Sequence, residues 1–219
     1  MATLMHQTCI IFDLDGTLVD SERLCNQAFI DLIPNLRLDT DELVTRFRGM
    51  KLSEIITALE SEIGVALSDD FVAKYRAHVS NLFDTNLRPF PGVIDALDQL
   101  KLPICVASSG PSTKINQALR VAKLSRYFEN RVFSSYDVGS WKPDPGLFLH
   151  AAQEMGVSPA NCIVIEDSLV GISAAHAAGM PSIFFNPSGM LISKLAATEF
   201  DNYANLQCVI DSIIDARVS

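Results

Sequence analysis

Two aspartates one residue apart, Asp13 and Asp15 in "IIFDLDGTLVD", close an apolar run and are followed at once by Gly16. Carboxylates this close repel each other, and more strongly where water is excluded. They can also divide a reaction between them. One can attack phosphorus once its charge is screened, and the other can pass a proton to the leaving oxygen. Such a pair needs cations and hydrogen-bond donors beside it. The sequence offers them at later points: Ser108, Ser109 and Gly110 in "ICVASSG", Lys142 in "SWKPDP", and Glu166 with Asp167 in "CIVIEDS".

Each group alone has an ordinary explanation. A DxDG stretch can open a calcium loop, but the acid after Asp15 and the later Glu of that loop are missing. Ser108 can cap a helix, Lys142 can be a solvated loop charge, and Glu166 with Asp167 can be acids at a helix start. What unites them is placement. Each follows a short apolar run: "CIIF" at 9–12, "ICVAS" at 104–108, the weaker "RVFSS" at 131–135, and "CIVIE" at 162–166, with "SIFF" at 182–185 as a fifth. Runs without in-and-out alternation predict strands buried on both faces.

Helical patterns separate these strands. In "PGVIDALDQLK", Val93, Ile94, Leu97 and Leu100 share a face, with Pro91 near the start. In "DPGLFLHAAQEMG", Leu147, Phe148, Ala151 and Met155 share another, with Asp144 as the expected N-cap and Gly156 as the stop. The small residues of "SLVGISAAHAAGM" suit close packing of a helix on a sheet. Helices and strands alternating from residue 89 onward predict a parallel, Rossmann-like α/β sheet with helices on both faces. Ligands of such sheets bind beyond the carboxyl ends of the strands, so all four polar segments are expected at one edge.

Residues 19–88 break the alternation. They hold no good strand, but "LSEIITALESEIG" puts Ile55, Ile56, Leu59 and Ile63 on one helical face, and 20–33, 39–48 and 69–84 are helix-compatible. A helical module inserted after the first strand is the expectation, with "LRPFPGV" as its returning hinge.

Four carboxylates at one edge, Asp13, Asp15, Glu166 and Asp167, would repel by several kcal/mol at an effective dielectric of ~20 unless a cation joins them. The candidate ligands are all oxygens, which suits Mg²⁺ better than Zn²⁺ or a caged Ca²⁺. With Mg²⁺, Lys142, a serine hydroxyl and main-chain N–H groups at a helix start, the edge suits a phosphoryl group.

Together "DLDGT", "SSG", "KPDP" and "EDS", in that order along the chain, resemble the four motifs of the haloacid dehalogenase superfamily of aspartyl phosphohydrolases. The insert stands where that family carries its helical C1 cap. The resemblance implies a catalytic core of 1–18 plus 89–219 and a cap of 19–88. It implies that Asp13 is the nucleophile, that Asp15 is the general acid and base with its main-chain carbonyl on the metal, and that Ser108, with Ser109 and Gly110 beside it, holds the phosphate. Lys142 then neutralises nucleophile and phosphoryl oxygens, and Asp167 with Glu166 beside it completes the Mg²⁺ site.

Within the family, the dehalogenases lack the second aspartate. The β-phosphoglucomutases usually carry Val after DxDG and a His in the first cap helix. This chain has Thr17 and Cys25 there, which favours transfer to water over transfer to a sugar. "FRGMKLSEI" and "SSYDVGSWKPDPGLFLHAA" resemble the branch containing bacterial 6-phosphogluconate phosphatase, which implies a small sugar or sugar-acid phosphate as substrate. Specificity in capped members lies in the cap, where Arg48, Gly49 and Lys51 are candidates to bind a substrate carboxylate or hydroxyls, a solvated helix start being the alternative. A receiver-like phosphoacceptor module also has acids after its first strand, but its nucleophile follows a later strand and it needs no helical insert.

The bulk numbers agree with a small-metabolite enzyme. Net charge of −9 disfavours nucleic acid and acidic membranes as partners. The five cysteines, Cys9, Cys25, Cys105, Cys162 and Cys208, form no CxxC pair and are expected as free thiols. The start "MATLMHQTCIIFD" has neither a basic leader nor a span, so the cytoplasm is the expected compartment; a monomer or small homo-oligomer is a separate expectation. The histidines His6, His78, His150 and His176 show no paired spacing, and Trp141, beside Lys142, is expected to pack, with lining the pocket as the alternative.

Overall fold

Cys9–Phe12 forms strand β1, every residue of it buried, at the centre of a six-stranded sheet of order β3-β2-β1-β4-β5-β6. The computed structural model describes residues 8–187, 189 and 198–217. Its other strands are β2 (Ile104–Ser108), β3 (Val132–Ser134), β4 (Cys162–Glu166), β5 (Ser182–Phe185) and β6 (Glu199–Phe200). Every strand pairing is parallel. The expected α/β class and parallel Rossmann-like sheet are therefore observed.

The helices are α1 (Glu22–Leu32), α2 (Thr40–Phe47), α3 (Leu52–Ile63), α4 (Phe71–Asn86), α5 (Val93–Gln99), α6 (Ser112–Val121), α7 (Ser125–Phe128), α8 (Ser135–Val138), α9 (Gly146–Glu154), α10 (Leu169–Ala177) and α11 (Leu206–Ala216). Alternate residues of the strands face opposite ways, which splits the core. Ile10, Phe12, Val106, Ile163 and Ile165 join one cluster, while Cys9, Ile11, Cys105, Ala107, Cys162 and Val164 join a second with α9 and α10. A sheet covered on both faces has no need of polar alternation.

The segment between β1 and β2 begins with α1–α4. Their apolar faces meet one another: Phe29 stacks on Tyr75 with centroids 4.4 Å apart, and Leu43, Leu59 and Phe83 are wholly buried. Asp39 and Glu42 form a reciprocal capping box at α2, and Gly64, at φ 72°, ends α3. The entry and exit of this segment run side by side. Val19 bridges Pro89, Phe90 N–H donates to Leu18 O at 3.1 Å and Asp20 N–H to Arg88 O at 3.1 Å.

Some boundaries differ from expectation. Asp144 does not cap α9; its N–H closes a turn to Trp141 O at 2.9 Å, and Pro145 occupies the cap position. All five cysteines are free. His78 pairs with Asp31 at 2.7 Å and His150 meets the Phe133 ring edge-on, whereas His6 lies outside the described residues. Among the described residues no helix is long and apolar enough to cross a membrane.

Candidate active site

Asp13 follows β1 directly and is 6 % exposed. Its N–H donates to Ile165 O at 2.9 Å, so the neighbouring strand β4 fixes where the carboxylate starts. Lys142, on the loop between α8 and α9 and also 6 % exposed, donates to Asp13 Oδ1 and, at 2.6 Å, to Glu166 Oε1. The ammonium lies 5.0 Å from the Phe148 ring centroid, so one wall of its pocket is aromatic. Asp13 Oδ2 has no hydrogen-bond partner among the described residues, which leaves that oxygen available to a ligand.

Glu166 and Asp167 are adjacent in sequence and do different things. Glu166 Oε2 accepts from Ser168 N–H and Ser168 Oγ, both at 2.8 Å, and Oε1 accepts from Lys142. Both of its oxygens are thus committed to holding Lys142 and the start of α10. Room for that carboxyl comes from Gly171, where a Cβ would fall 1.9 Å from Glu166 Cδ. Asp167 turns the other way: Oδ1 accepts from Thr17 Oγ1 at 3.1 Å, and Oδ2 lies 3.9 Å from Arg48 Nε. Gly16, at φ 79°, stands where a Cβ would be 2.3 Å from Asp167 Oδ2, so only glycine lets the β1 turn pass this carboxylate.

Ser108, at the end of β2, is 1 % exposed, and its Oγ accepts from Gly110 N–H at 3.1 Å. Ser134 Oγ donates to Gly110 O at 2.7 Å and so fixes the loop from the other side. Asp15 is held by a residue that sequence reasoning did not single out. Lys114 Nζ, from α6, lies 2.9 Å from both of its carboxylate oxygens, and Ser21 Oγ donates to Oδ1 at 2.5 Å. Nothing in the type or spacing of Lys114 distinguishes it from a surface lysine; only the fold brings it to Asp15.

These groups line one cavity of about 830 Å³ between the sheet edge and helices α1–α4. The structure brings Asp13, Asp15, Ser108, Ser109, Gly110, Lys142, Glu166 and Asp167 onto its wall, together with Gly49 and Lys51. Arg48 is not on that wall. Its guanidinium is taken by Glu22 at 3.1 Å, and it lines a separate, smaller hollow with Asp167 and Pro187. Trp141 lines the main cavity rather than only packing beneath it.

The electrostatics are lopsided. Burial pushes the Asp13 carboxyl up from an ordinary 3.8 to about 8, Lys142 opposing and Glu166 and Asp15 adding to the rise. Burial, with Glu22, Glu166 and Asp13 nearby, also raises Asp167 far above the carboxylate range. Asp15 goes the other way: burial works against its charge, but Lys114 and Ser21 hold its carboxyl below the ordinary value. Glu22 is raised by burial from 4.5 to about 7 despite Arg48. Asp13 and Glu166 thus share one buried ammonium while Asp167 has only Arg48, at 3.9 Å, among the described residues, and the deficit is of the kind a divalent cation corrects.

The donors fit a hard, oxygen-bound ion. Among the described residues no three His, Cys, Asp or Glu side chains stand close enough to hold a metal by themselves. A set of Asp13, Asp167 and the Asp15 main-chain carbonyl needs only two side chains, leaving the other positions to water and phosphate, as Mg²⁺ prefers.

These shifts predict a pH effect on the metal-free fold. Asp13 and Glu22 keep protons in the folded protein that the unfolded chain has already released between about pH 4 and pH 8. The folded state then binds more protons, so stability falls as pH rises through that window. In EDTA the melting temperature is expected to drop by several degrees from about pH 5 to about pH 8. A flat profile would contradict the charge deficit.

Three comparisons place the chain among known proteins. The haloacid dehalogenase-like hydrolase family profile matches residues 7–179. The chain is 38 % identical over 202 residues to the 6-phosphogluconate phosphatase of Escherichia coli K12, covering 90 % of this chain and 91 % of that protein. It is 30 % identical over 180 residues to the phosphorylated carbohydrates phosphatase of Thermotoga maritima, covering 80 % and 83 %. A crystal structure of a haloacid dehalogenase-like protein of unknown function from Agrobacterium tumefaciens superposes with a TM-score of 0.83 at 32 % identity, covering 95 % of this chain and 99 % of that one.

Proposed function

From the premise that the chain belongs to the haloacid dehalogenase-like hydrolases, we propose that it is a Mg²⁺-dependent phosphomonoesterase of small sugar or sugar-acid phosphates, with 6-phosphogluconate as the leading candidate. The observation that carries this reading is the meeting of Asp13, Lys142, Ser108 and Asp167 at one end of the sheet, in the wall of the 830 Å³ cavity. The resemblance of sequence to phosphatases of phosphorylated carbohydrates supports the substrate class. In this reading residues 19–88 are the cap and 1–18 with 89–219 the catalytic core.

The chain's residues divide the work as follows. Ser108 and the N–H groups of the Ser109–Gly110 loop hold the phosphoryl group, and Lys142 opposes the burial that raises the Asp13 carboxyl and orients it toward that group. An Asp13 oxygen attacks phosphorus as the bond to the sugar oxygen breaks. Asp15 takes up a proton from solvent as its bond to Lys114 is given up, and passes that proton to the leaving oxygen. A water then attacks the phosphoaspartate, its proton passing to Asp15 while the bond to Asp13 breaks and phosphate leaves. Mg²⁺, held by Asp13, Asp167 and the Asp15 carbonyl, would supply the positive charge that offsets the phosphoryl oxygens. Glu166 is assigned to Lys142 and not to the metal, because its oxygens are already filled.

Phosphate release across sugar phosphates, sugar-acid phosphates, nucleotides and phosphoglycolate, with Mg²⁺ and with EDTA, tests the proposal. Release is expected only with Mg²⁺, and most efficiently from a sugar-acid phosphate. An isomer accumulating from a sugar bisphosphate would point to a mutase instead, and a phosphoaspartate lasting minutes to hours would point to a signalling module. Mg²⁺ should also flatten the fall of melting temperature with pH.

A further inference from the structure

A phosphoryl group fills little of an 830 Å³ cavity, so the remaining wall meets the rest of the substrate. Two features of that wall are not fully used by the fold. Asn26, on α1, lines the cavity, is 7 % exposed, and has an Oδ1 without a hydrogen-bond partner. Its orientation follows from chemistry. Nδ2 donates to Glu22 O at 2.9 Å, and only the NH₂ side of the amide can donate, so the atom left over is an acceptor. A buried acceptor facing no donor is costly, and folded proteins seldom leave one without water or ligand.

The second feature is a pair of cations. In a chain of net charge −9, Arg23, Arg46, Arg48, Lys114 and Lys142 each sit on a carboxylate. Lys51 and Arg76 also line the cavity, and the charged group of neither pairs with a carboxylate among the described residues, although the Lys51 main-chain N–H donates to Glu54 Oε2 at 3.4 Å. Lys51 Nζ lies 5.6 Å from the Trp141 ring centroid. The Arg76 guanidinium lies 5.6 Å from the Tyr136 ring, and its Nη2 donates to the Tyr136 hydroxyl at 3.2 Å. Trp141 and Tyr136 touch edge to face at 5.5 Å, so one aromatic pair carries both cations. An aromatic face holds a cation without cancelling its charge. The rim of the cavity is positive in an otherwise acidic molecule.

We propose that this wall reads a polyhydroxylated acid: Asn26 Oδ1 accepts a hydrogen bond from a hydroxyl of the substrate chain, and Lys51 with Arg76 binds a carboxylate at the end remote from the phosphate. The inference rests on the phosphatase reading and names the substrate class within it. An inner acceptor and two outer cations suit a donor-rich chain that ends in an anion. A neutral polyol phosphate leaves the rim unused, and an aryl phosphate leaves Asn26 unmet as well.

Three substrates separate the contacts: 6-phosphogluconate, sorbitol 6-phosphate and p-nitrophenyl phosphate. In Lys51→Met/Arg76→Met the ratio of kcat/KM for 6-phosphogluconate over sorbitol 6-phosphate is expected to fall about tenfold or more, the loss arising in KM. In Asn26→Leu, which keeps the volume and removes the acceptor, the ratio for sorbitol 6-phosphate over p-nitrophenyl phosphate is expected to fall about tenfold. Asn26→Ala serves if the leucine variant does not fold. Ratios that stay at their wild-type values overturn the inference. If the wild type releases phosphate from none of the three, the phosphatase reading fails instead, and calorimetric binding of D-gluconate still decides the wall. Weaker binding in both variants supports it, while equal binding, or none in the wild type, overturns it.

Discussion

Asp13→Asn is expected to release phosphate at less than about 10⁻⁴ of the wild-type rate while remaining folded. The substitution keeps volume and shape but replaces a carboxylate with an amide, whose oxygen is a poor nucleophile and whose nitrogen has no free lone pair. The fold has little reason to suffer. Asp13 is one of two buried carboxyls on one ammonium, burial already disfavours its charge, and Lys142 retains Glu166 at 2.6 Å. The melting temperature is therefore expected to stay within a few degrees of the wild type, or to rise in EDTA. Phosphate release and thermal melting on the same preparation check both halves. Turnover above about one per cent of wild type would sink Asp13 as the nucleophile.

Lys142→Met should do more damage, because it removes catalysis and stability together. The ammonium is 6 % exposed and faces Asp13 and Glu166 at once. Deleting one partner of a buried pair leaves uncompensated charge and costs about 3–5 kcal/mol, while, on the proposed phosphatase mechanism, losing the cation beside the nucleophile costs about 10²–10³ in rate. Lysine is raised further above its ordinary value by Asp13 and Glu166 than burial lowers it, so it is charged throughout the working pH range. Arginine is not expected to substitute, since its guanidinium is bulkier than the compact ammonium that this 6 % exposed position encloses. The double variant Asp13→Asn/Lys142→Met discriminates this account from simple loss of packing. Removing both charges should recover part of the lost stability. A double variant whose destabilisation is the sum of the two singles would contradict it.

The parts of this arrangement legible from sequence are those in which a strand end dictates position. β1, β2, β4 and β5 fall on the residues expected, because continuous apolar runs bounded by polar residues admit few other registers. β3 is shorter than its apolar run at both ends, and β6 has two residues, too few to carry any period. Asp13, Ser108, Lys142 and the Glu166–Asp167 pair are brought together as their strands implied. How Glu166 and Asp167 share roles was not legible, since that depends on which way two adjacent side chains turn. Arg48 and Lys51 look alike in sequence, yet Glu22 captures one while Trp141 holds the other at the cavity. Lys114, Arg76 and Asn26 sit on ordinary amphipathic helices. Only the approach of the inserted helices to the sheet edge gives them a common address.

The cramped contact between Gly171 and Glu166 bears on how this sequence can drift. Gly171 faces no substrate and does not line the cavity, yet any side chain there would occupy the place of the Glu166 carboxyl, 1.9 Å from a Cβ. Evicting that carboxyl frees Lys142 from one of its two anchors. In a map of tolerated substitutions, a glycine in the first turn of α10 would then rank with the reacting residues, although exposed helix positions a turn away accept almost anything. Mutational intolerance in this molecule would mark the support of the ammonium as sharply as it marks the chemistry itself.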